Sequence, residues 1–321
     1  MDVSADQFWL DRAAKLAVRG HGGAEPNPLV GCIVLDAAGV VVGSGHHRRV
    51  GGPHAEIIAL QAAGQAAAGG TMYVTLEPCS HHGRTPPCTE AVIAAGITTV
   101  VYGEADLHPE ASGGAGVLAA AGIETRQVPT SSCASLLAPF AWRLGTGLPW
   151  VTAKWAQTLD GRIATRSGHS QWISGERSRR LVHRQRGRVD AILTGIGTVK
   201  ADDPMLTARD VTVRRTATRV IVDPRAELPI DSALVRTANV SPVIALCLPM
   251  APMPRIEALR ERNVYVHIGS ETEDRLDLAA HLGHLSSEHH IATMLVEAGP
   301  GLLSSLLDAH LINELAVFIA P

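Results

Sequence analysis

The sequence predicts a protein of two α/β domains, and three observations support this fold class. The chain has 321 residues, which at roughly 150 residues per domain corresponds to two domains. Hydrophobic residues make up 46% of the chain and charged residues 18%, which is enough apolar material for packed cores. Strand-like and helix-like segments alternate along both halves, as they do when helices cover the faces of a sheet.

We place the domain boundary in segment 144–149, which has the glycine and proline content of a linker. The first predicted domain is therefore 1–146 and the second is 147–321.

In the first half, the pattern predicts a helix, a hairpin and then strands that alternate with helices. Ser4 can cap a helix that runs to about Arg19, where Gly20 ends it. The next predicted elements are strands 30–35 and 40–43 as a hairpin, a helix from His54 to about Gly64, a strand at 72–76, a helix at 88–95 and a strand at 99–102.

The second half has seven apolar runs of strand length, with helices expected between them. These runs are 150–155, 191–193, 219–222, 242–248, 264–268, 293–296 and 315–319.

Composition argues against several classes of protein. The formal net charge of −3 and an aromatic content of 3% do not favour a nucleic-acid partner. Five cysteines are an odd count in a long chain, which favours a reducing compartment over a disulfide framework. The first 20 residues lack the apolar core of a signal peptide, and the apolar stretch 242–253 is too short to span a bilayer. We therefore expect a cytoplasmic protein with no membrane partner.

One group of residues predicts a metal site. His54 stands two residues before Glu56, and Cys79 and Cys88, each preceded by proline, follow later in the chain. An imidazole and two thiolates are good zinc ligands and leave a fourth position for water. Zinc lowers the pKa of such a water from 15.7 to about 7, and Glu56 is placed to carry its proton.

Less specific interpretations of the same residues remain open. His81 or His82 could supply a fourth ligand, which would make the zinc site structural. Cys32, Cys133 and Cys247 show no ligand spacing, and we expect them in the cores.

Together with segment 26–32, of sequence PNPLVGC, the motifs His54-Ala55-Glu56 and 78–88 resemble the deaminase half of the bifunctional riboflavin-biosynthesis deaminase/reductase family. The resemblance implies a cytidine-deaminase-like, three-layer α/β/α domain. It implies that His54, Cys79 and Cys88 bind Zn²⁺ and that Glu56 shuttles protons. It also implies that Asn27 helps to hold the pyrimidine.

The second half contains two short glycine motifs, Gly195-Ile196-Gly197 and Gly299-Pro300-Gly301, each of which follows a predicted strand. Neither extends to a full G-x-G-x-x-G, so each alone is weak evidence for a nucleotide site. Helix N-termini at these points would attract phosphate.

Segments 154–161, 170–173, 190–193, 202–209 and 296–300 are similar to the reductase half of the same family, whose fold resembles dihydrofolate reductase. This resemblance implies an NADPH-dependent reductase domain. The implied cofactor-binding residues are Ala156, Trp172, Thr198, Asp202, Gly299, Pro300, Gly301, Leu302, Leu303, Ser304 and Ser305. The implied substrate-binding residues are Lys154, Ser170, Arg186, Leu206, Arg209 and Glu297.

A substrate that carries a phosphate suits permanently charged arginines, which Arg186 and Arg209 provide. Arg186 lies in a segment rich in arginine, 177–188, most of which we expect to be solvated.

The resemblance implies two reactions on a small-molecule pyrimidine ribose-phosphate. The first is hydrolytic deamination of 2,5-diamino-6-ribosylamino-4(3H)-pyrimidinone 5′-phosphate, and the second is NADPH-dependent reduction of the ribosyl group to ribityl. Because the family continues beyond the point that corresponds to Pro321, we expect that C-terminal strands of the reductase sheet are missing. We also expect a homo-oligomer, a dimer or larger. Two alternatives are a zinc nucleobase deaminase that acts on RNA and a non-catalytic, zinc-stabilised binding protein.

Overall fold

The chain divides into two units, Met1–Gly145 and Thr146–Pro321, and each unit contains its own large sheet. The computed structural model describes residues 3–81, 86–108, 112–167, 169–170, 172–272 and 275–321.

The first unit is a five-stranded mixed sheet with helices on both faces. Its strands are β1 (Gly31–Leu35), β2 (Val41–His46), β3 (Thr71–Leu76), β4 (Thr99–Glu104) and β5 (Glu124–Gln127), and its helices are α1 (Val3–Ala17), α2 (Ala55–Ala63), α3 (Cys88–Ala94), α4 (Gly114–Ala120) and α5 (Ser131–Thr146). The strand order is β2-β1-β3-β4-β5. Strand β1 is antiparallel to both of its neighbours, whereas β3, β4 and β5 are parallel.

Two apolar clusters cover the faces of this sheet and confirm the three-layer α/β/α prediction. Ala59 and Leu60 of α2 and Leu118 of α4 pack with Val74 on one face. Leu10 of α1 and residues of α5 pack with the other face. The two strands of the predicted hairpin do pair, and the strand at 41–46 is longer than the pattern indicates.

Sequence patterns missed β5, α4 and α5. The sequence of β5 is ETRQ and none of its residues is buried, so a short edge strand of this kind gives no alternating apolar signal. Helix α5 contains Pro139, which weakens a helix prediction.

The second unit is built on a seven-stranded, entirely parallel sheet. Its strands are β6 (Trp150–Thr158), β7 (Ala191–Gly195), β8 (Thr218–Val222), β9 (Val243–Cys247), β10 (Val264–Ile268), β13 (Thr293–Val296) and β14 (Glu314–Ala320). The order is β10-β9-β8-β7-β13-β6-β14. All seven runs predicted as strands are found. Inner strands such as β7 and β9 are buried on both faces and read as continuous apolar segments, whereas the edge strand β14 is apolar but largely exposed.

The second unit also contains helices that cover this parallel sheet and a short two-stranded ribbon. The helices are α6 (Glu176–Arg186), α7 (Ile196–Asp202), α8 (Ala233–Arg236), α9 (Met253–Arg260), α10 (Leu278–Glu288) and α11 (Pro300–Asp308), and the ribbon is β11 (Glu271–Thr272) with β12 (Arg275–Leu276). Leu234 and Ile256 belong to one core cluster, and Leu282 and Leu306 belong to a second cluster. Within the described ranges, no helix combines the length and apolar character needed to cross a bilayer.

Candidate functional site

The first candidate site is formed where two helices begin. His54 occupies the N-cap of α2 with extended backbone angles, and Cys88 is the first residue of α3. Pro53 and Pro87 directly precede them, and proline disfavours helical geometry in the residue before it while its ring fixes φ near the helix start. Cys79 lies in the loop after β3. This local chemistry puts two of the three side chains at positively polarised helix ends.

The side chains of His54, Cys79 and Cys88 converge. His54 Nδ1 lies 3.2 Å from Cys88 Sγ and 3.6 Å from Cys79 Sγ, and the backbone N–H of Cys88 donates to Cys79 Sγ at 3.4 Å. All three donor atoms lie within 4.8 Å of one another, and this is the one such group of three found in the described part of the chain.

The donor set and spacing fit zinc. Ordinary zinc–nitrogen and zinc–sulfur bond lengths in a tetrahedral centre place nitrogen and sulfur about 3.6 Å apart, close to the separations found here. Cys88 is fully buried and Cys79 is nearly so, which suits the low solvent access of thiolate ligands.

The electrostatics of the cluster favour a negatively charged sulfur. A hydrogen bond from Cys88 lowers the pKa of Cys79 to about 4, against the opposing effect of burial and with support from His54. The same hydrogen bond and burial raise the pKa of the Cys88 thiol, so the pair readily carries one negative charge. The hydrogen bond with Cys79 raises the pKa of the His54 imidazole. A divalent cation would stabilise both sulfurs as thiolates.

Glu56 lies beside this cluster in the first turn of α2 and is only 4% exposed. Burial raises the pKa of its carboxyl, although the neighbouring His54 opposes the shift. A carboxyl group whose pKa is raised in this way is suited to taking up and passing on a proton.

A cavity of about 430 Å³ opens onto the cluster and is lined by Asn27, His54, Glu56 and Cys79. Asn27 Nδ2 lies 3.3 Å from Nε2 of His47, whose Nδ1 is 3.1 Å from the Pro53 carbonyl oxygen. The structure therefore brings together all five first-half residues for which the sequence predicts a site role.

His81 also lines the cavity but does not belong to the three-donor group. His82 lies outside the described residues. The closed, four-ligand arrangement considered from sequence is therefore not found among the residues that are described. As expected, Cys32, Cys133 and Cys247 are buried free thiols in the cores.

Sequence reasoning missed several polar residues of this cavity, namely His47, Glu77, Asp106 and His108. Glu77 follows the carboxyl end of β3 and accepts hydrogen bonds from the backbone N–H of Asp106 at 3.2 Å and of Ala115 at 2.9 Å. Polar residues at the carboxyl ends of the adjacent parallel strands β3 and β4 are the signal that could have identified Glu77, Asp106 and His108, whereas His47 follows β2 and gives no such signal.

The second candidate site contains a charge cluster of Lys154, Arg186 and Glu297. Arg186 donates from Nε to Oε1 of Glu297 at 2.6 Å and from a terminal nitrogen to Oε2 at 2.9 Å. Lys154 Nζ lies 3.5 Å from Oε2 of the same carboxylate. Burial alone would raise the pKa of Glu297, but the charge and hydrogen bonds of Arg186, together with Lys154, outweigh it and hold the pKa below its usual value.

The structure also juxtaposes the two glycine motifs of this unit. They follow β7 and β13, which are neighbouring parallel strands. A Cβ atom on Gly299 would lie 4.0 Å from Oγ1 of Thr198, and one on Gly195 would lie 3.6 Å from the side chain of Leu302. The two motifs therefore face each other at the carboxyl edge of the sheet, where open α/β sheets bind ligands.

The other predicted residues of the second half lie in varied surroundings. Trp172 is 71% exposed, and its ring is 4.7 Å from the Arg179 guanidinium. Leu206 is buried, and its backbone adopts a left-handed φ of 50°. Arg209 is exposed and donates to Oγ1 of Thr207 at 3.1 Å.

The remaining predicted residues are distributed along four segments. Ala156 is in β6, Ser170 precedes α6, Asp202 ends α7, and Pro300, Gly301, Leu303, Ser304 and Ser305 are in α11.

Comparison with known families assigns a class to each unit. Residues 3–104 match the cytidine and deoxycytidylate deaminase zinc-binding region, and residues 149–321 match the RibD C-terminal domain. The chain thus combines a zinc deaminase unit with a reductase unit.

Full-length relatives identify the family. The chain is 38% identical to the riboflavin biosynthesis protein RibD of Aquifex aeolicus, over 98% of this chain and 87% of that protein. It is 40% identical to RibD of Escherichia coli, over 98% of this chain and 88% of that protein. The structure of Acinetobacter baumannii RibD matches with a TM-score of 0.84 at 36% identity, covering 100% of this chain and 88% of that one.

The chain belongs to the RibD family of bifunctional riboflavin-biosynthesis deaminase/reductases. The predicted fold class, the two enzymatic activities and the cofactors Zn²⁺ and NADPH are thereby confirmed. Neither a deaminase acting on RNA nor a non-catalytic zinc-stabilised protein is favoured.

Proposed function

We propose that His54, Cys79, Cys88 and Glu56 perform the deamination and that the Lys154, Arg186 and Glu297 cluster serves the reduction. The convergence of three metal-ligating side chains beside a buried carboxyl in a cavity carries this proposal. A Thermotoga maritima structure with 35% identity and a TM-score of 0.83 is a diaminohydroxyphosphoribosylaminopyrimidine deaminase/5-amino-6-(5-phosphoribosylamino)uracil reductase. We assign the corresponding substrates to this chain.

In the deaminase site, His54, Cys79 and Cys88 hold the zinc ion, which when bound supplies an activated water molecule at neutral pH. Glu56 takes a proton from the water and passes it to the departing amine. The carbon that bore the 2-amino group thereby gains an oxygen, and ammonia leaves. Glu56 ends the cycle in its starting protonation state, so the step needs no further acid.

Asn27 orients the pyrimidine in this cavity. If Nδ1 of His47 donates to the Pro53 carbonyl oxygen, Nε2 of His47 accepts from the Asn27 amide, which fixes the direction of that amide. The carbonyl oxygen of Asn27 is then free to accept a hydrogen bond from an N–H group of the ring.

In the reductase site, the cofactor NADPH supplies a hydride to the ribosyl group. Glu297 fixes Lys154 near the ribose and is itself held by the two-pronged hydrogen bond from Arg186. Because Arg186 is engaged with Glu297, the exposed Arg209 is the better placed of the two arginines to bind the substrate phosphate. The facing glycine motifs and the backbone of α11 contact the dinucleotide.

A two-readout assay with the diaminopyrimidine phosphate tests these assignments by following ammonia release and NADPH oxidation separately. Glu56→Gln should lower ammonia release at least ~100-fold, since it removes the group that carries the proton. It should leave the zinc content unchanged and should still reduce the already deaminated substrate.

The matched control is Glu124→Gln, at an exposed carboxylate of the first unit, and it should retain both activities. Normal ammonia release by Glu56→Gln would remove Glu56 from the mechanism.

We also propose a cytoplasmic homo-oligomer without a nucleic-acid partner. All five cysteines are buried free thiols, and the net charge of −3 supplies no basic excess for a phosphate backbone. Sedimentation of the zinc-loaded enzyme should give a mass of at least two chains, and RNA should not bind at low salt.

A further inference from the structure

Four histidines of the second unit form a cluster that the proposed reactions do not use. His267 is on β10, at the edge of the parallel sheet, His281 and His284 are one turn apart on α10, and His289 caps the end of that helix. The ring centroids of His267 and His281 are 5.0 Å apart and nearly perpendicular. His267 and His284 stack at 3.7 Å, and His284 and His289 are 5.7 Å apart.

Nitrogens of three of these rings lack the partners that buried imidazoles usually have. His281 is 1% exposed, and neither of its ring nitrogens makes a hydrogen bond of good geometry, although the backbone of Ser270 is near enough to act on the ring. Nε2 of His284 and Nε2 of His289 are also buried without a partner. Buried polar atoms are nearly always satisfied, so a group of orphaned nitrogens calls for an explanation such as an ion.

Two of the rings face a common point. A Cβ atom on Gly269 would lie 2.7 Å from Nε2 of His267, and it would lie 2.5 Å from Cε1 and 2.9 Å from Nε2 of His281, which is the Cε1–Nε2 edge of that ring. Glycine leaves this point open, and any larger residue would fill the space between the two nitrogens. The perpendicular arrangement of the two rings at 5.0 Å matches the roughly 5 Å expected between two imidazoles that share a tetrahedral cation.

The surroundings of the cluster also suit a cation. Burial lowers the pKa of His267 to about 4, and the neighbouring rings add to this effect, so the ring is neutral and its lone pair is available at pH 7. Burial likewise lowers the pKa values of His281 and His289. The negative charge of Asp277 and the backbone of Ser270 act on His281 in the opposite direction.

We propose that His267, His281 and His284 bind a borderline divalent cation of the Zn²⁺, Ni²⁺ and Cu²⁺ class, with His289 at the rim of the site. Imidazole nitrogen is a preferred donor for these ions. His267 and His281 already face one another, whereas the stacked ring of His284 has to turn about its Cβ–Cγ bond to join them. The cation would link α10 to the edge strand β10 and would satisfy nitrogens that are otherwise orphaned.

Ni²⁺ binding to the untagged full chain, loaded with one equivalent of Zn²⁺, tests this proposal. Equilibrium dialysis at pH 7.5, with zinc and nickel counted separately by elemental analysis, distinguishes the new site from the deaminase site. We expect one Ni²⁺ per chain in addition to one retained Zn²⁺.

Two variants and one control locate the nickel. His267→Gln and His281→Gln should each weaken Ni²⁺ binding by about tenfold or more. His290→Gln changes an exposed histidine next to the cluster and should bind nickel normally. Retained reductase activity and an unchanged far-ultraviolet circular dichroism spectrum check that each variant is folded. If His281→Gln fails to fold, His267→Gln still tests the proposal, because His267 is partly exposed.

Absence of Ni²⁺ binding beyond the zinc site in the wild-type chain would overturn the proposal. Equal Ni²⁺ binding by His267→Gln and the wild-type chain would overturn it as well. In either case the cluster would be a neutral, stacked part of the core. The result is independent of the deaminase and reductase assignments, since neither activity is used to detect the metal.

Discussion

The donor cluster of the first unit and the charge cluster of the second unit differ in how the chain assembles them. His54, Cys79 and Cys88 come from one short stretch of sequence, and two of them are fixed by the starts of helices. Lys154, Arg186 and Glu297 come from segments far apart in sequence. Lys154 and Glu297 meet because β6 and β13 are neighbours in the sheet, and Arg186 joins them from the end of α6.

The two clusters also differ in what holds them together. Each of the two thiols lies within 3.6 Å of the same imidazole nitrogen, and such groups repel or share protons unless a cation joins them. A carboxylate between a guanidinium and an ammonium group already has its counter-charges within the protein. The first cluster is therefore incomplete without a ligand, whereas the second can organise itself before substrate binds.

Loss of one thiol of the donor cluster should have the largest effect, and it should act on zinc affinity. Cys88→Ser should lower zinc affinity by more than ~100-fold, because losing a ligand exceeds the 10–100-fold effect of losing its supporting group. Ammonia release should fall with the zinc content, while reduction of the deaminated substrate continues. Elemental analysis and the two-readout assay measure both changes.

Cys133→Ser is the control, because Cys133 is also a buried free thiol of the first unit but lies in a core cluster. A Cys88→Ser protein that keeps one zinc per chain would show that the cluster is not the metal site.

Removal of the guanidinium from the charge cluster should destabilise the second unit. Arg186→Met leaves the buried Glu297 carboxylate with Lys154 as its remaining charged neighbour. Breaking a largely buried pair in this way costs about 3–5 kcal/mol, since both side chains are less than 15% exposed. Urea unfolding of the zinc-loaded chain, followed by a probe of the second unit, measures the loss.

Arg180→Met is the matched control on the same helix. Arg180 lies 3.5 Å from Glu176 in an exposed i,i+4 pair, which contributes about 0.5 kcal/mol or less. Equal stability of the Arg186→Met and Arg180→Met proteins would contradict the view that the charge cluster is pre-assembled by its own ion pairs.

The different assembly of the two clusters explains how much of each could be predicted from the sequence. Zinc ligands are few, chemically distinctive and placed beside prolines, so His54, Cys79 and Cys88 could be identified from residue type and spacing. Lys154, Arg186 and Glu297 are ordinary charged residues, and only resemblance to a family singled them out. That Arg186 is engaged with Glu297 could not be predicted, because the contact depends on the strand order of the sheet.

The strength of the apolar pattern explains both why the strands were predicted and why some helices were missed. Runs such as Val243–Cys247 are buried on both faces and therefore continuously apolar. Helix α4, with the sequence GAGVLAA, is rich in glycine and alanine and has only two buried residues, so its periodicity is weak. The histidine cluster was also missed, because its members meet only when α10 packs beside β10.

A pH profile provides the finest test of the charge cluster. The pKa of Glu297 is lower in the folded chain than its usual value of about 4.3. The ionised carboxylate therefore stabilises the fold at pH values above this usual pKa. This stabilisation is lost as the pH falls through the lower, folded-state pKa, because the unfolded chain then binds more protons than the folded chain.

Glu297→Gln should thus flatten the decline in unfolding free energy of the second unit between about pH 5 and pH 3. The difference in slope between the two proteins can reach at most ~1.4 kcal/mol per pH unit, since one proton is involved. Both proteins keep the histidine cluster, so its own acid sensitivity cancels in the comparison. Glu314→Gln, at an exposed carboxylate of β14, is the control. Identical slopes for Glu297→Gln and the wild-type chain would mean that Arg186 and Lys154 do not hold Glu297 ionised, and the charge cluster would then need a ligand just as the zinc cluster does.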